Sequence, residues 1–186
     1  MRKLLVTLLI ITSFGMIGCK DKSNNEISDY NQTTSNTFQT QMVYLNNISF
    51  ELSTGWVIND WALGVTVATP SNAQENSITN ILVSVSDSSE EYSSTDELIE
   101  SVKSSMTDIN DLSNLVSIVE THGDFQYIKL EFDCTKEGIA THQIAYIPFI
   151  NKYLIIITST DTGERVSPSI SDTMTKIVDT LRVNNY

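Results

Sequence analysis

Residues 48–56 read ISFELSTGW, and this stretch predicts the strand and the turn with which the folded part of the chain begins. Ile48, Phe50 and Leu52 share one face of the predicted strand, while the serine and the glutamate between them share the other. The serine, threonine and glycine that follow favour a turn. We expect Trp56, directly after this turn, to anchor the core.

Further strands are predicted on both sides of this stretch. Residues 43–45 form a strand joined to it through Asn46-Asn47, a pair that suits a tight turn because Asn tolerates positive φ. Pro70 is expected to stop one of the strands that follow, because proline cannot donate to a sheet ladder. These later strands are predicted at residues 56–58, 63–68 and 78–85.

Two amphipathic helices are predicted farther along the chain. Ser94 can cap the first helix and Glu97 can reach back to it, as in a capping box. The second helix is predicted to open at Ser167-Pro168, a cap followed by proline at the first helical position. We expect both helices to pack against a sheet. Their apolar stripes have helical spacing and comprise Leu98, Ile99, Val102, Met106 and Ile109 in the first helix, and Ile170, Met174, Ile177, Val178 and Leu181 in the second.

Four strands are predicted between the two helices. Residues 115–120 and 125–132 form a hairpin around His122-Gly123-Asp124, and a second pair spans 139–149 and 153–158. Within the last strand, residues 154–157 are continuously apolar. Such a run favours a central strand that is covered on both faces.

This order of elements, with Phe50-Glu51-Leu52-Ser53-Thr54-Gly55-Trp56 near its start, resembles the PsbP/DcrB-like family of small α/β proteins. Members commonly begin with an apolar-x-Leu-Pro-x-Gly-Trp stretch, and Ser53 here replaces the proline. The resemblance covers residues 42–183. It implies an α+β fold with an antiparallel sheet between helices, a PsbP-like α/β/α sandwich. It also implies binding of another protein rather than catalysis, because the family has no catalytic residue to carry over.

The first 18 residues are predicted to be a signal peptide. Arg2 and Lys3 give a cationic start, and the apolar stretch that continues to Ile17 is about 14 residues long. A helix that crosses a bilayer needs roughly 20 apolar residues. The short stretch therefore indicates an export signal and not a permanent transmembrane helix.

The residues Ile17-Gly18-Cys19 resemble the lipobox of bacterial lipoproteins, with Met16 where leucine is usual. The resemblance implies that the chain is cut before Cys19, that its thiol receives a diacylglycerol, and that the new amino end is acylated, commonly with palmitate. The alternative is an ordinary secretory signal with an incidental cysteine. A lipid on Cys19 would hold the protein in the bacterial cell envelope, on the exported side of the membrane. In a Gram-negative cell this means the outer membrane or the cell surface.

Residues 19–41 are predicted to be a disordered tether and residues 42–186 a single domain. The tether is rich in Ser, Thr, Asn and Gln, so it cannot bury enough apolar surface to offset its ordering entropy. Lys20-Asp21 resembles a surface-export signal, and a simple polar spacer is the alternative. The chain has 23 acidic and 11 basic residues and a formal charge of −12. This charge disfavours nucleic acid and permits a basic partner or a cationic ligand.

The sequence contains no arrangement typical of a catalytic or metal site. Cys134 is the thiol that remains once Cys19 is lipidated, and we expect it to be a small core or edge residue. His122 falls in a predicted turn and His142 within a predicted strand, and neither lies at zinc-ligand spacing from other ligands. Residues 108–111 lack the glycine and the glutamate of a calcium loop. We therefore predict no metal, no cofactor and no enzymatic activity.

Trp61 is the residue for which a partner contact is predicted. It follows Asn59-Asp60 in a predicted loop, and an exposed aromatic residue there could anchor an interface. The alternative is that Trp61 caps the edge of the sheet. The functional hypothesis is a membrane-anchored lipoprotein that acts as a non-catalytic protein-binding or accessory module. A tethered binder of a small apolar or cationic ligand is the alternative, and an enzyme is a third.

Overall fold

The computed structural model of the chain describes residues 40–62, 64–72, 78–87, 94–106, 109, 111–136, 138–150, 153–162 and 169–184. The predicted signal peptide, Cys19 and residues 20–39 of the predicted tether lie outside these residues. The first strand already begins at Thr40, so the last two residues of the predicted tether belong to a sheet.

The described residues form ten strands and two helices. In chain order the elements are β1 (Thr40–Leu45), β2 (Ile48–Ser53), β3 (Trp56–Ala62), β4 (Val65–Pro70), β5 (Asn80–Asp87), α1 (Thr95–Ser105), β6 (Ser113–His122), β7 (Phe125–Lys136), β8 (Ile139–Pro148), β9 (Tyr153–Asp161), α2 (Ile170–Thr180) and β10 (Arg182–Val183).

The strands build two antiparallel sheets. The larger has seven strands in the order β3-β4-β5-β9-β8-β7-β6, and the smaller has three in the order β1-β2-β10. Every strand pair in both sheets is antiparallel. The chain thus has the α+β class that the sequence predicted, with one strand, β9, at the centre of the larger sheet.

Strand β9 shows how the two faces of the larger sheet are covered. Ile155 and Ile157 pack into a core cluster with α2 and the three-stranded sheet, and their neighbours Leu154 and Ile156 pack into a second cluster with α1. Since successive side chains of a strand point to opposite faces, the helices lie on opposite sides of the sheet. The prediction that residues 154–157 form a strand covered on both faces is confirmed.

The two core clusters, which cover opposite faces of the larger sheet, lie over different strands. The α2 cluster includes side chains of β3, β4, β5 and β9. It reaches β7 and β8 through the buried Tyr127 and Tyr146 and the partly buried Phe125 and Ile144. The α1 cluster instead covers β7, β8 and β9. On the side of the sheet that faces α2, the described helices and strands consequently leave much of β6, β7 and β8 uncovered.

The helix starts agree with the sequence in one case and differ in the other. The Ser94 side chain accepts a hydrogen bond of 3.2 Å from the Glu97 backbone N–H, as predicted. Helix α2, however, begins at Ile170 with Ser169 as its N-cap, whose side chain makes no capping hydrogen bond. The predicted opening at residues 167–168 is therefore wrong, and these two residues lie outside the described part of the chain.

Candidate functional site

Six polar residues lie on the uncovered part of the sheet, on the side that faces α2. In β7 the odd-numbered positions alternate with residues of the α1 cluster, so they point to the α2 side. Their partners across the ladders share this side, as Asp133 does with His142 and Tyr127 with Glu120. We call this set the polar face, and it comprises Glu120, His122, Lys129, Glu131, Asp133 and His142.

His122 connects the end of β6 to helix α2. Its Nε2 lies 3.0 Å from an oxygen of Glu120, and its Nδ1 lies 2.9 Å from an oxygen of Asp179 in α2. The rings of Tyr127 and Tyr146 pack edge-on against the imidazole. Burial lowers the pKa of His122, but the hydrogen bonds to the two carboxylates outweigh it, so the pKa is raised overall. In the protonated form both ring nitrogens can donate to these carboxylates.

His142 is held in the same manner at the other end of the polar face. Its Nδ1 lies 2.8 Å from Asp133 and its Nε2 lies 3.2 Å from Glu131. The Asn114 side chain donates a second hydrogen bond of 2.7 Å to Asp133. This bond from Asn114, and then the one with His142, lowers the pKa of the Asp133 carboxyl.

Lys129 joins the two histidine clusters. Its ammonium lies 3.7 Å from Glu120 and 3.8 Å from Glu131, and 5.9 Å from the centre of the Tyr146 ring. The polar face is therefore one continuous network in which carboxylates alternate with cationic or titratable groups. Such a network holds the strands in register and leaves partly exposed carboxylates at the surface.

Both ring nitrogens of each histidine in the polar face contact a carboxylate. A general base or a metal ligand needs a ring nitrogen with an available lone pair, and both nitrogens of His122 and of His142 are occupied by carboxylates. In the described part of the chain, no group of three His, Cys, Asp or Glu side chains is placed to hold a metal ion.

A pocket of about 510 Å³ opens at the end of the sheet beside His142. Asp111, Asp133 and Asp161 contribute carboxylates to its wall, and the lining residues that the structure describes include neither lysine nor arginine. Cys134 also lines it and is 4% exposed, within the α1 cluster. The sequence predicted a small core or edge residue at Cys134, and the structure places it in the core.

Strand β6 exposes apolar side chains beside the polar face. Val116 is 54%, Ile118 43% and Val119 45% exposed, and β6 is an edge strand of the larger sheet. Sequence reasoning did not single out these residues. The run LVSIV at 115–119 was the available signal, but it also fits an interior strand with both faces buried.

The structure agrees with the sequence prediction for one of the two tryptophans and differs from it for the other. Trp56 is 3% exposed and lies in the α2 cluster, as predicted for a core anchor. The predicted loop at Trp61 is wrong, because its backbone belongs to strand β3 and lies at the bulge between Asp60 and Ala62, the two residues on either side that pair with β4. The Trp61 side chain lies outside the described residues, so its partner contact stays a prediction.

Among the residues that the structure describes, neither helix has the length and apolar character needed to cross a bilayer.

Several solved structures resemble this chain at low sequence identity. Cyanobacterial PsbP (CyanoP) from Synechocystis sp. PCC 6803 is 15% identical, with a TM-score of 0.53 over 83% of this chain and 98% of that one. LpqN, involved in cell envelope biogenesis of Mycobacterium tuberculosis, is 10% identical, with a TM-score of 0.62 over 79% of this chain and 91% of that one. A protein from Bacteroides thetaiotaomicron is 10% identical, with a TM-score of 0.54 over 75% of this chain.

The match to the Bacteroides protein covers 46% of that protein, so the chain spans about half of its length. Neither a protein-family model nor a curated protein sequence matches the chain. At identities this low, the likeness establishes the fold. The chain has a PsbP-like α+β fold, as the sequence predicted.

Proposed function

We propose that this protein is a lipid-anchored lipoprotein of the bacterial cell envelope, related to the PsbP/DcrB-like proteins, and that its domain is a non-catalytic module for binding another protein. The observation that carries the binding role is the exposure of Val116, Ile118 and Val119 on edge strand β6. Exposed apolar groups rimmed by polar residues are typical of protein interaction surfaces.

The anchor rests on the sequence at the amino end. The cationic start, the short apolar stretch and Ile17-Gly18-Cys19 stand in the register of a lipobox. Each buried CH₂ of an acyl chain contributes about 0.8 kcal/mol, so two or three chains on Cys19 hold a protein firmly on a membrane. The likeness in fold to LpqN, a protein involved in cell envelope biogenesis, supports a role in the envelope.

The test of the anchor is metabolic labelling with an alkyne-tagged palmitate. We expect the wild-type chain and the Cys134→Ala variant to take up the label and to fractionate with membranes. The Cys19→Ala variant should do neither. Because the two substitutions remove one thiol each, label on the Cys19→Ala variant would refute lipidation at this residue.

The test of the binding role is crosslinking in the native host cells, followed by purification of wild type and Cys19→Ala. A partner captured by the wild type alone would mean that function needs membrane placement. The same partner captured by both would mean that recognition lies in the folded domain. If the purified protein instead turns over a substrate and captures no partner, the proposal is wrong.

A second candidate function is supported by the pocket beside His142. For a binder of a small apolar or cationic ligand, the sequence-based expectation is a deep apolar pocket between sheet and helix. This pocket instead lies at the end of the sheet and is lined by three aspartates. Its chemistry favours the cationic form of that alternative. Calorimetric titration with spermidine, with Asp161→Asn as the variant, tests it. Spermidine binding that is equal in the wild type and the variant would count against it.

A further inference from the structure

Strand β6 offers a long regular edge to a further strand. From Val116 to His122 it pairs with β7 at seven consecutive positions, and its one irregularity lies before Val116. On its other side, no described strand pairs with it. A sheet edge of this length can accept an extended segment of another protein through main-chain hydrogen bonds.

The ladder shows which backbone groups of β6 face this open side. The Gln126 carbonyl accepts a hydrogen bond of 2.8 Å from the Phe149 N–H on the β8 side, so the even-numbered residues of β7 bond towards β8. The odd-numbered residues of β7 consequently bond to β6, where their partners are even-numbered. The backbone groups of Ser117, Val119 and Thr121 therefore point outward.

The middle of this edge, from Val116 to Val119, lacks the usual protection against strand pairing. Natural edge strands carry charges, prolines or bulges where they face solvent. Residues 115–119 of β6 read LVSIV, without charge or proline. Val116 and Ile118 are exposed on the α2 side, and Val119 on the α1 side. An added strand would cover apolar groups on both faces.

We propose that β6 accepts an extended segment of a partner protein as an eighth strand, with β-branched or aromatic side chains over Val116, Ile118 and Val119 and with lysine or arginine side chains directed at Glu120 and Glu131. This inference rests on the proposed binding function and specifies its surface and the chemistry of its partner.

Charge complementarity determines the polar part of the partner. Of the six residues of the polar face, three are carboxylates, one is a lysine and two are histidines. Glu131 and Asp133 keep 43% and 41% of their side chains exposed, and Glu120 keeps 28%. Neighbouring strands lie about 4.8 Å apart, so Glu131, two spacings from an added strand, is within reach of a long cationic side chain.

The same charge argues against a second copy of this chain as the occupant. Pairing two β6 edges would bring together two chains that each carry a net charge of −12. Each copy would also bring the same excess of carboxylates to the shared face. A cationic segment instead meets opposite charge at this surface, and its binding should weaken as salt screens the attraction.

The experiment measures binding of a synthetic nine-residue peptide to the full-length protein in detergent micelles by calorimetry. The peptide alternates valine and threonine and has lysine near both ends. Two control peptides are compared with it. In one, glutamate replaces lysine; in the other, alternate backbone amides are N-methylated so that they cannot pair with an edge strand.

The matched protein variants are Ser117→Pro and Ser117→Ala. Proline removes an outward N–H that takes no part in the β6–β7 ladder, and alanine keeps it. We expect the peptide Kd to rise at least tenfold for Ser117→Pro and to stay within twofold for Ser117→Ala. N-methylation should weaken binding to the wild type at least tenfold, and this comparison needs no folded variant. The glutamate peptide should also bind at least tenfold more weakly.

Several results would overturn the inference. These are no binding of the lysine peptide, equal binding of the N-methylated or glutamate peptide, and a dimer of the wild type that Ser117→Pro dissociates. Failure of strand addition can be told apart from failure of the proposed function. If a partner crosslinks equally to wild type and to Ser117→Pro in cells, the binding function stands and the β6 site is wrong. If the peptide binds at β6 but cells yield no partner, the binding function lacks support while the site is real.

Discussion

The burial of Ile177 gives the sharpest test of how helix α2 holds this fold together. Ile177 is completely buried in the α2 cluster, whereas Ile118 is 43% exposed on the edge strand. Replacing either isoleucine by alanine removes three carbon groups. At about 0.8 kcal/mol for each buried group, the loss at Ile177 is about 2.4 kcal/mol. The cavity left behind raises the cost to as much as about 5 kcal/mol.

Helix propensity changes the expected cost of Ile177→Ala little, because alanine is favoured over isoleucine in a helix by less than about 0.7 kcal/mol. At Ile118, where most of the removed surface already meets water, the cost should stay below about 1 kcal/mol. Equilibrium unfolding in urea, followed by circular dichroism, measures both. With a slope near 2 kcal/mol/M, Ile177→Ala lowers the midpoint by about 1–2.5 M. Equal and small midpoint shifts for both variants would refute a core built on α2.

Three further predictions concern the buried hydroxyl of Tyr127, the contact between Gly64 and the backbone of β5, and the ion pairs of His122. Each is measured as a shift of the urea midpoint. Tyr127→Phe should lower the free energy of unfolding by about 1–3 kcal/mol, because the Tyr127 hydroxyl donates a hydrogen bond of 3.0 Å to a carbonyl in the last turn of α2. The control is Tyr44→Phe, at a residue that is 75% exposed. Its stability should lie within about 0.5 kcal/mol of the wild type. Gly138→Ala should cost about 1–2 kcal/mol for its φ of +80°. Gly64→Ala, at φ +79°, should cost about 1–3 kcal/mol more, because its Cβ would lie 2.6 Å from a backbone oxygen of β5. Because the pKa of His122 is raised in the folded protein, protonation of His122 stabilises the fold below about pH 6.5. This stabilisation is lost as the pH rises through the pKa that His122 has in the folded state. His122→Gln should therefore be most destabilising in acid.

Each of these predictions has a clear contradicting result. Equal costs at the two tyrosines would mean that the buried hydrogen bond adds nothing to stability. Equal costs at the two glycines would mean that the backbone conformation, and not the close approach, decides the effect. A penalty for the histidine variant that grows from pH 5 to pH 8 would reverse the sign of the proposed coupling.

Most of the fold was predictable because its signals are local. The spacing of Leu98, Val102 and Met106 defines one buried helical face, and a capping serine marks where that helix begins. The predicted start of α2 was wrong because serines stand at both 167 and 169, and local sequence does not decide between them. The helix begins where its apolar stripe begins, at Ile170.

The sequence-based predictions were wrong or incomplete where contacts between residues distant in sequence determine the structure. Asn59-Asp60 has turn chemistry, yet pairing with β4 keeps Trp61 in a strand that includes a bulge. The pair formed by Asp133 and His142 could have been found from the register of the β7–β8 hairpin. The pair formed by His122 and Asp179 could not, because it joins a strand to a helix 57 residues away. The position of β6 at an edge likewise depends on how all seven strands are ordered.

The offset between the two coverings of the sheet explains both parts of the candidate site. Because the α2 cluster leaves β6–β8 open on one side, side chains there meet water, and solvation favours charged groups such as Glu131 and His142. Solvation alone would favour polar residues equally at the edge. Val116 and Ile118 face the same water on the same side and are nonetheless apolar. Val116 is 54% and Ile118 43% exposed. The proposed pairing of β6 with a segment of another protein would cover these apolar groups and place the charged part of the face beside that segment.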